Sequence, residues 1–173
     1  TDLAPDIPRI VDPVLVATSG GALTVQDTRE AFKAHAIKGS ILTPNFDEAT
    51  ALTDILVQGR ASMEQAGDRL LRRGADAVII TGGHSVGDVC LDLLVTGMGS
   101  HEIKSNRVPT KNDHGTGCTY ASALACFMAN GEGLAVAADK AKQVVLAGLR
   151  ADPGLGGGKG PLGHHVMDLS DLV

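Results

Sequence analysis

The densest chemistry in this chain lies in Asp113-His114-Gly115-Thr116-Gly117-Cys118-Thr119, which runs directly into an alanine-rich stretch. Glycines at 115 and 117 let the backbone approach a ligand closely. At a helix start the first N–H groups lack intrahelical partners, and the helix dipole makes that end attractive to anions. Such a turn can serve as an anion hole for a phosphoryl group in transfer. The imidazole and thiol on the same turn strengthen that reading over an ordinary cap. Three further segments fall just after apolar runs: Asp12-Pro13, Thr43-Pro44-Asn45 and Gly82-Gly83-His84. Asn45 and Glu48 are three residues apart at an expected helix start, so both can face one site.

Composition narrows the class. The chain has 173 residues, 43% hydrophobic and 20% charged, enough for a sizeable core. Aromatics are 2% with no Trp, so the core must be aliphatic. A net charge of −5, with basic residues scattered, gives no footprint for nucleic acid. No run is long enough to cross a membrane as a helix. Cys90, Cys118 and Cys126 lack metal-ligand spacing, so disulfides are not expected and a reducing cytoplasm is the simplest setting. The histidines form no zinc pattern with them. Gly156 to Gly160 has phosphate-loop composition without Walker spacing, and reads as a flexible rim. The opening Thr1–Pro8 reads as a connection into a buried strand, so an upstream segment is expected.

The elements that must hold these motifs alternate. Arg9 to Val16 is a strand whose regular pairing ends at Asp12-Pro13. Thr24 to Ile37 is helical, with Thr24 as N-cap. Ser40–Thr43 is a short strand, Phe46–Thr53 a short helix, and Ser62–Arg73 a helix with Ser62 and Gln65 as capping box and Gly74 ending it. Ala77 to Thr81 is a fully apolar strand of the parallel-sheet kind. Cys90–Thr96 and His101–Val108 are two strands joined by Gly97 to Ser100. Thr119–Asn130 and Leu134–Leu149 are helices, and the tail from Asp152 is irregular until a short helix at the end. This order predicts an α/β sandwich with a mainly parallel sheet. Ligands in such sheets sit at the C-terminal ends of the strands, where the three short motifs fall.

Five collinear segments carry a family resemblance. His114 to Thr119 (HGTGCT) is similar to the glycine turn of pyrimidine kinases acting on thiamine precursors. Asp12 to Ala17 with Ser19-Gly20 resembles their DPVMVAKSG, and Thr43-Pro44-Asn45 with Glu48-Ala49 and Leu52 resembles TPNxxEAxxL. Gly82-Gly83-His84 resembles KGGH, and Gly160-Pro161 with His164-His165 resembles GPVHH. The chain thus resembles the C-terminal two-thirds of a phosphomethylpyrimidine kinase, with the N-terminal substrate-binding segment absent. The resemblance implies a ribokinase-like three-layer sandwich, with residues 1–173 as one partial kinase domain. It also implies ATP-dependent phosphorylation of hydroxymethylpyrimidine or its monophosphate in thiamine diphosphate biosynthesis, and a homodimer.

On the same basis Cys118 stands at the catalytic-base position, with Gly115, Thr116 and Gly117 forming the hole. Thr43, Asn45, Gly82, Gly83 and His114 are implied to bind substrate or ATP. Asp12 and Glu48 are implied to hold Mg²⁺, an ion that favours carboxylates and keeps much of its hydration; Asp12 equally fits a turn-forming residue before proline. The chain departs from the pattern at Thr18 and Thr81, where the family has lysine, and at Asp113, where it has threonine. Each change makes the region less positive, and Lys111 is a candidate replacement cation. Rival readings are a hydroxyethylthiazole kinase, a pyridoxal kinase, and a catalytically inactive nucleotide-binding fragment.

Overall fold

Short apolar runs separated by helical stretches leave the chain few options but to lay its strands side by side. The computed structural model describes residues 7–15, 26–83, 87–154 and 158–170. Among them the elements are β1 (Ile10–Val11), α1 (Gln26–His35), β2 (Ile41–Leu42), α2 (Phe46–Thr53), α3 (Arg60–Arg72), β3 (Ala77–Ile80), β4 (Val89–Thr96), β5 (Gly99–Asn106), α4 (Thr116–Ala129) and α5 (Leu134–Arg150). The strands form one sheet in the order β1-β2-β3-β4-β5. β1, β2 and β3 are parallel, with Ile10 opposite Ile41 and Leu42 opposite Val78. β4 returns antiparallel, setting Ile80 opposite Leu93. The expected α/β class with a mainly parallel sheet is the one the chain adopts.

The chain divides into two compact units, one comprising Thr1–Ser85 with Leu91–Glu102, the other Val86–Cys90 with Ile103–Val173. In the first unit, Val78 and Ile80 of β3 join Leu42, Leu93 and Val95 against Ala49, Leu52, Met63, Ala66 and Leu70 of α2 and α3. Ala77 and Ile79, on the other face of β3, are equally buried. Burial on both faces is what its uninterrupted apolar sequence requires. At Gly67 a Cβ would come within 2.6 Å of Val95 Cγ2, so α3 lies closer to the sheet than any larger residue permits. β1 is tied to β2 through Ile41 N–H to Arg9 O (2.8 Å) and Thr43 N–H to Val11 O (3.2 Å). It ends before Asp12-Pro13, as the proline predicts.

In the second unit α4 and α5 pack together, and α5 buries Ala137, Ala138, Ala141, Val144 and Val145. The Tyr120 hydroxyl, buried, donates to Ala138 O at 3.0 Å. Leu162 closes over Gly148.

Three boundaries differ from expectation. α3 begins at Arg60, and Ser62 acts from its third position: its Oγ accepts from Gln58 N (2.9 Å) and Gly59 N (3.1 Å). Gln65 therefore caps nothing and is exposed. β5 starts at Gly99, so the hairpin turn is tighter than composition suggests. α4 starts at Thr116, three residues earlier than expected, because Gly115 takes φ 90° and closes the preceding turn. Thr24 and residues 171–173 lie outside the described residues.

Leu70 is fully enclosed. Leu70→Ala is expected to lower the unfolding free energy by about 3 kcal/mol with an unchanged denaturant slope. Urea titration followed by circular dichroism checks it.

Candidate active site

Parallel strands release their connections at one edge, and in the first unit three of those connections carry the acidic and amide groups singled out in the sequence. Asp12 follows β1, Thr43-Pro44-Asn45 follows β2, and Thr81-Gly82-Gly83 follows β3. The buried Thr43 hydroxyl donates to Asp12 Oδ1 at 3.4 Å. Thr81 N–H donates to Pro44 O at 2.9 Å, and Asn45 and Thr81 form a parallel bridge that extends the β2–β3 pairing. Gly82 N–H is held by Asp92 Oδ1 at 2.8 Å, and a Cβ at Gly82 would lie 1.9 Å from Leu91 O. Only glycine fits there. His84 lies outside the described residues.

Asn45 and Glu48 are joined by their own backbone. Asn45 caps α2 by accepting from Glu48 N (2.9 Å), and Glu48 Oε2 accepts from Asn45 N (2.9 Å). This capping box fixes the Glu48 carboxyl at the strand ends instead of letting it swing on a solvated helix face. Glu48 is buried, 6% exposed. Desolvation, with Asp12 and Asp47 adding repulsion, pushes its pKa from 4.5 up to about 7, against hydrogen bonds from the Asn45 and Leu15 backbones that favour the charged form.

The second unit holds the glycine turn. Gly115 N-caps α4, and the first helical bond runs from Thr119 N to Gly115 O at 2.9 Å. The amides of Thr116, Gly117 and Cys118 therefore occupy the electropositive first turn. The Thr119 hydroxyl donates to Gly115 O (2.8 Å) and lies 2.8 Å from His164 Nε2. Cys118 is exposed, as a group that meets a ligand must be, and His114 is exposed beside it. The His114 backbone pairs with the tail: His114 N–H to Gly160 O at 3.1 Å and Leu162 N–H to His114 O at 3.4 Å. Next to the turn, Pro109, Thr110, Lys111, Asn112, Asp152, Gly154 and Gly158 line an open cleft of about 560 Å³. Among the described residues no three His, Cys, Asp or Glu side chains converge on a common point.

The family model described as phosphomethylpyrimidine kinase matches residues 3–163. The chain belongs to the phosphomethylpyrimidine kinase family. A hydroxymethylpyrimidine/phosphomethylpyrimidine kinase of Streptomyces coelicolor is 38% identical over 160 residues, covering 92% of this chain and 59% of the relative. Among solved structures, the pyridoxal kinase of Staphylococcus aureus in complex with AMP-PCP superposes with a TM-score of 0.82 at 28% identity, covering 90% of this chain and 57% of that one. The phosphomethylpyrimidine kinase of Clostridium difficile does so with 0.69 at 28% identity, covering 81% and 56%. The fold is thus the ribokinase-like α/β fold. This chain spans about three-fifths or less of the length of the relatives it matches.

Within this phosphomethylpyrimidine kinase family member, the first unit gathers Asp12, Thr43, Asn45, Glu48 and Gly82 at one set of strand ends, with Gly83 exposed next to them. The second gathers His114, Gly115, Thr116, Gly117 and Cys118 on one turn. Sequence reasoning missed Asp92, a carboxylate 1% exposed that anchors the Gly82 turn. An acidic residue inside the apolar strand Val89–Thr96 was the available signal, since such a charge is buried only with a partner.

The raised Glu48 pKa has a sign that can be checked. The folded protein keeps this proton up to about pH 7 while the unfolded chain loses it near 4.5. Stability should therefore fall as pH rises through that window and level off above it. Glu48→Gln preserves the cap acceptor and should remove this component of the slope. Thermal melts of both proteins between pH 4 and 8 read it.

Proposed function

We propose that this chain carries out the phosphoryl transfer of a hydroxymethylpyrimidine/phosphomethylpyrimidine kinase, with residues 1–173 working as one kinase domain. The γ-phosphoryl of ATP passes to the hydroxymethyl oxygen of the pyrimidine or to a phosphate oxygen of its monophosphate. A P–O bond to the acceptor forms as the bond to the β–γ bridging oxygen breaks, and ADP leaves. The observation that carries this reading is the early start of α4, which puts the amides of Thr116, Gly117 and Cys118 at an electropositive helix end. Family membership supplies the reaction class.

Each group has a distinct task in this reading. The first-turn amides stabilise negative charge on the equatorial oxygens. Cys118 takes the proton of a neutral hydroxymethyl acceptor. A monophosphate acceptor is already ionised and asks less of a base, so positioning dominates there. Thr43, Asn45, Gly82, Gly83 and His114 hold substrate or nucleotide, and the cleft beside Lys111 and Asn112 suits the rest of the nucleotide. The donor set fits Mg²⁺: Asp12 and Glu48 are close enough to repel, Glu48 is reluctant to ionise alone, and Mg²⁺ takes one or two carboxylates plus phosphate oxygens and water. Bound there, the ion would neutralise charge on the phosphates. A homodimer follows from the family resemblance, and a cytoplasmic setting is supported by the three free cysteines. Among the described residues no helix is long and apolar enough to cross a membrane.

The test offers the chain ATP and Mg²⁺ with hydroxymethylpyrimidine, its monophosphate, hydroxyethylthiazole and pyridoxal in parallel. Phosphorylation of the two pyrimidines above the others is expected; no product from either, in a folded sample, removes the proposal. Cys118→Ala should lower kcat on hydroxymethylpyrimidine by about 10²-fold or more and on the monophosphate by less, with ATP affinity within about twofold of the parent. Equal turnover of the neutral acceptor by this variant would remove Cys118 as the base.

A further inference from the structure

The tail segment Lys159-Gly160-Pro161 is pinned beside the glycine turn by the His114–Pro161 bridge and the His114 N–H to Gly160 O bond of 3.1 Å. From there Lys159 extends its ammonium to Asp113, with Nζ 3.1 Å from Oδ2. The other oxygen of that carboxylate, Oδ1, is buried and has no hydrogen-bond partner. A carboxylate is thus held two residues ahead of the cap of α4, where a phosphate would be bound, and it is only half satisfied. Alone, Asp113 would repel a phosphate. Its lysine partner offsets that charge, and the Lys159 side chain is more than half exposed, so it is open to a ligand.

A lysine is a compact charge on a flexible stem, flanked here by Gly158 and Gly160, so its ammonium can reach more than one acceptor.

We propose that Lys159 is a positioning residue for the phosphates of the bound nucleoside triphosphate, with Asp113 as its resident counter-ion. The ammonium is shared between the Asp113 carboxylate and a phosphate oxygen when nucleotide is present, and rests on Asp113 when it is not. This inference rests on the kinase reading above. It makes a signed prediction that a purely structural ion pair does not. Removing the lysine should weaken nucleotide binding, whereas neutralising the aspartate should strengthen it, because that frees the lysine and removes a like charge.

The test is calorimetric titration of the full chain with ATP and, separately, adenosine, in Mg²⁺ at low and high salt. Lys159→Ala is expected to weaken ATP binding about five- to tenfold at low salt, less at high salt where exposed charges are screened, and to leave adenosine unchanged. Lys159→Arg should stay within about twofold of the parent, since it keeps the charge, and Asp113→Asn should bind ATP about two- to threefold more tightly. Melting curves establish that each variant is folded. ATP binding unchanged in Lys159→Ala, or Lys159→Ala and Asp113→Asn both weakening ATP and adenosine alike, overturns the proposal. So does a loss confined to Lys111→Ala, run in parallel. A parent chain that binds no ATP would instead overturn the kinase reading.

Discussion

Parallel pairing of β1, β2 and β3 obliges three successive connections to leave the sheet at the same edge. The consequences run through the whole first unit. Asp12, Asn45 and Gly82 are 33 and 37 residues apart in sequence, yet each lies in the connection that leaves one of these strands. The pairing is maintained by burial: β3 is enclosed on both faces, and its Val78 and Ile80 fasten α2 and α3 to the sheet. Without that enclosure the strand ends would have no fixed register, and groups borne on them could not act together.

The polar groups at these ends are secured by hydrogen bonds that double as local architecture. Glu48 closes the cap of α2 while its carboxyl is buried near Asp12. Asp92, buried within β4, holds the backbone N–H of the Gly82 turn with its carboxyl. Such investments are costly for stability alone, because burying a carboxylate exacts a desolvation penalty. They make sense where the position of a loop matters more than the free energy of folding. In the second unit the equivalent device is Gly115, whose left-handed φ of 90° ends the incoming chain and starts α4 at Thr116.

How much of this could be read from the residues depends on the range of the interaction. The apolar run Ala77–Ile80, the helix Phe46–Thr53 and the end of β1 before Asp12-Pro13 follow from local pattern, and all were legible. The start of α4 was not, because composition does not reveal that Gly115 adopts a positive φ; without it the helix reads as beginning at Thr119. Asn45-Phe46-Asp47-Glu48 does spell a capping box, so the fixed orientation of Glu48 was available in the sequence, whereas its burial was not. Asp92 with Gly82, and Lys159 with Asp113, are tertiary pairs separated by 10 and 46 residues. No periodicity announces them.

The placement of phosphate at the start of α4 is tested most directly by two-dimensional ¹⁵N–¹H NMR of the chain titrated with AMP-PCP and Mg²⁺. A phosphate hole there requires the amides of Thr116, Gly117 and Cys118 to show the largest downfield shifts, saturating with the nucleotide, because each gains a charged acceptor. Saturable binding of AMP-PCP that left these three amides unmoved, with the shifts concentrated elsewhere, would contradict it.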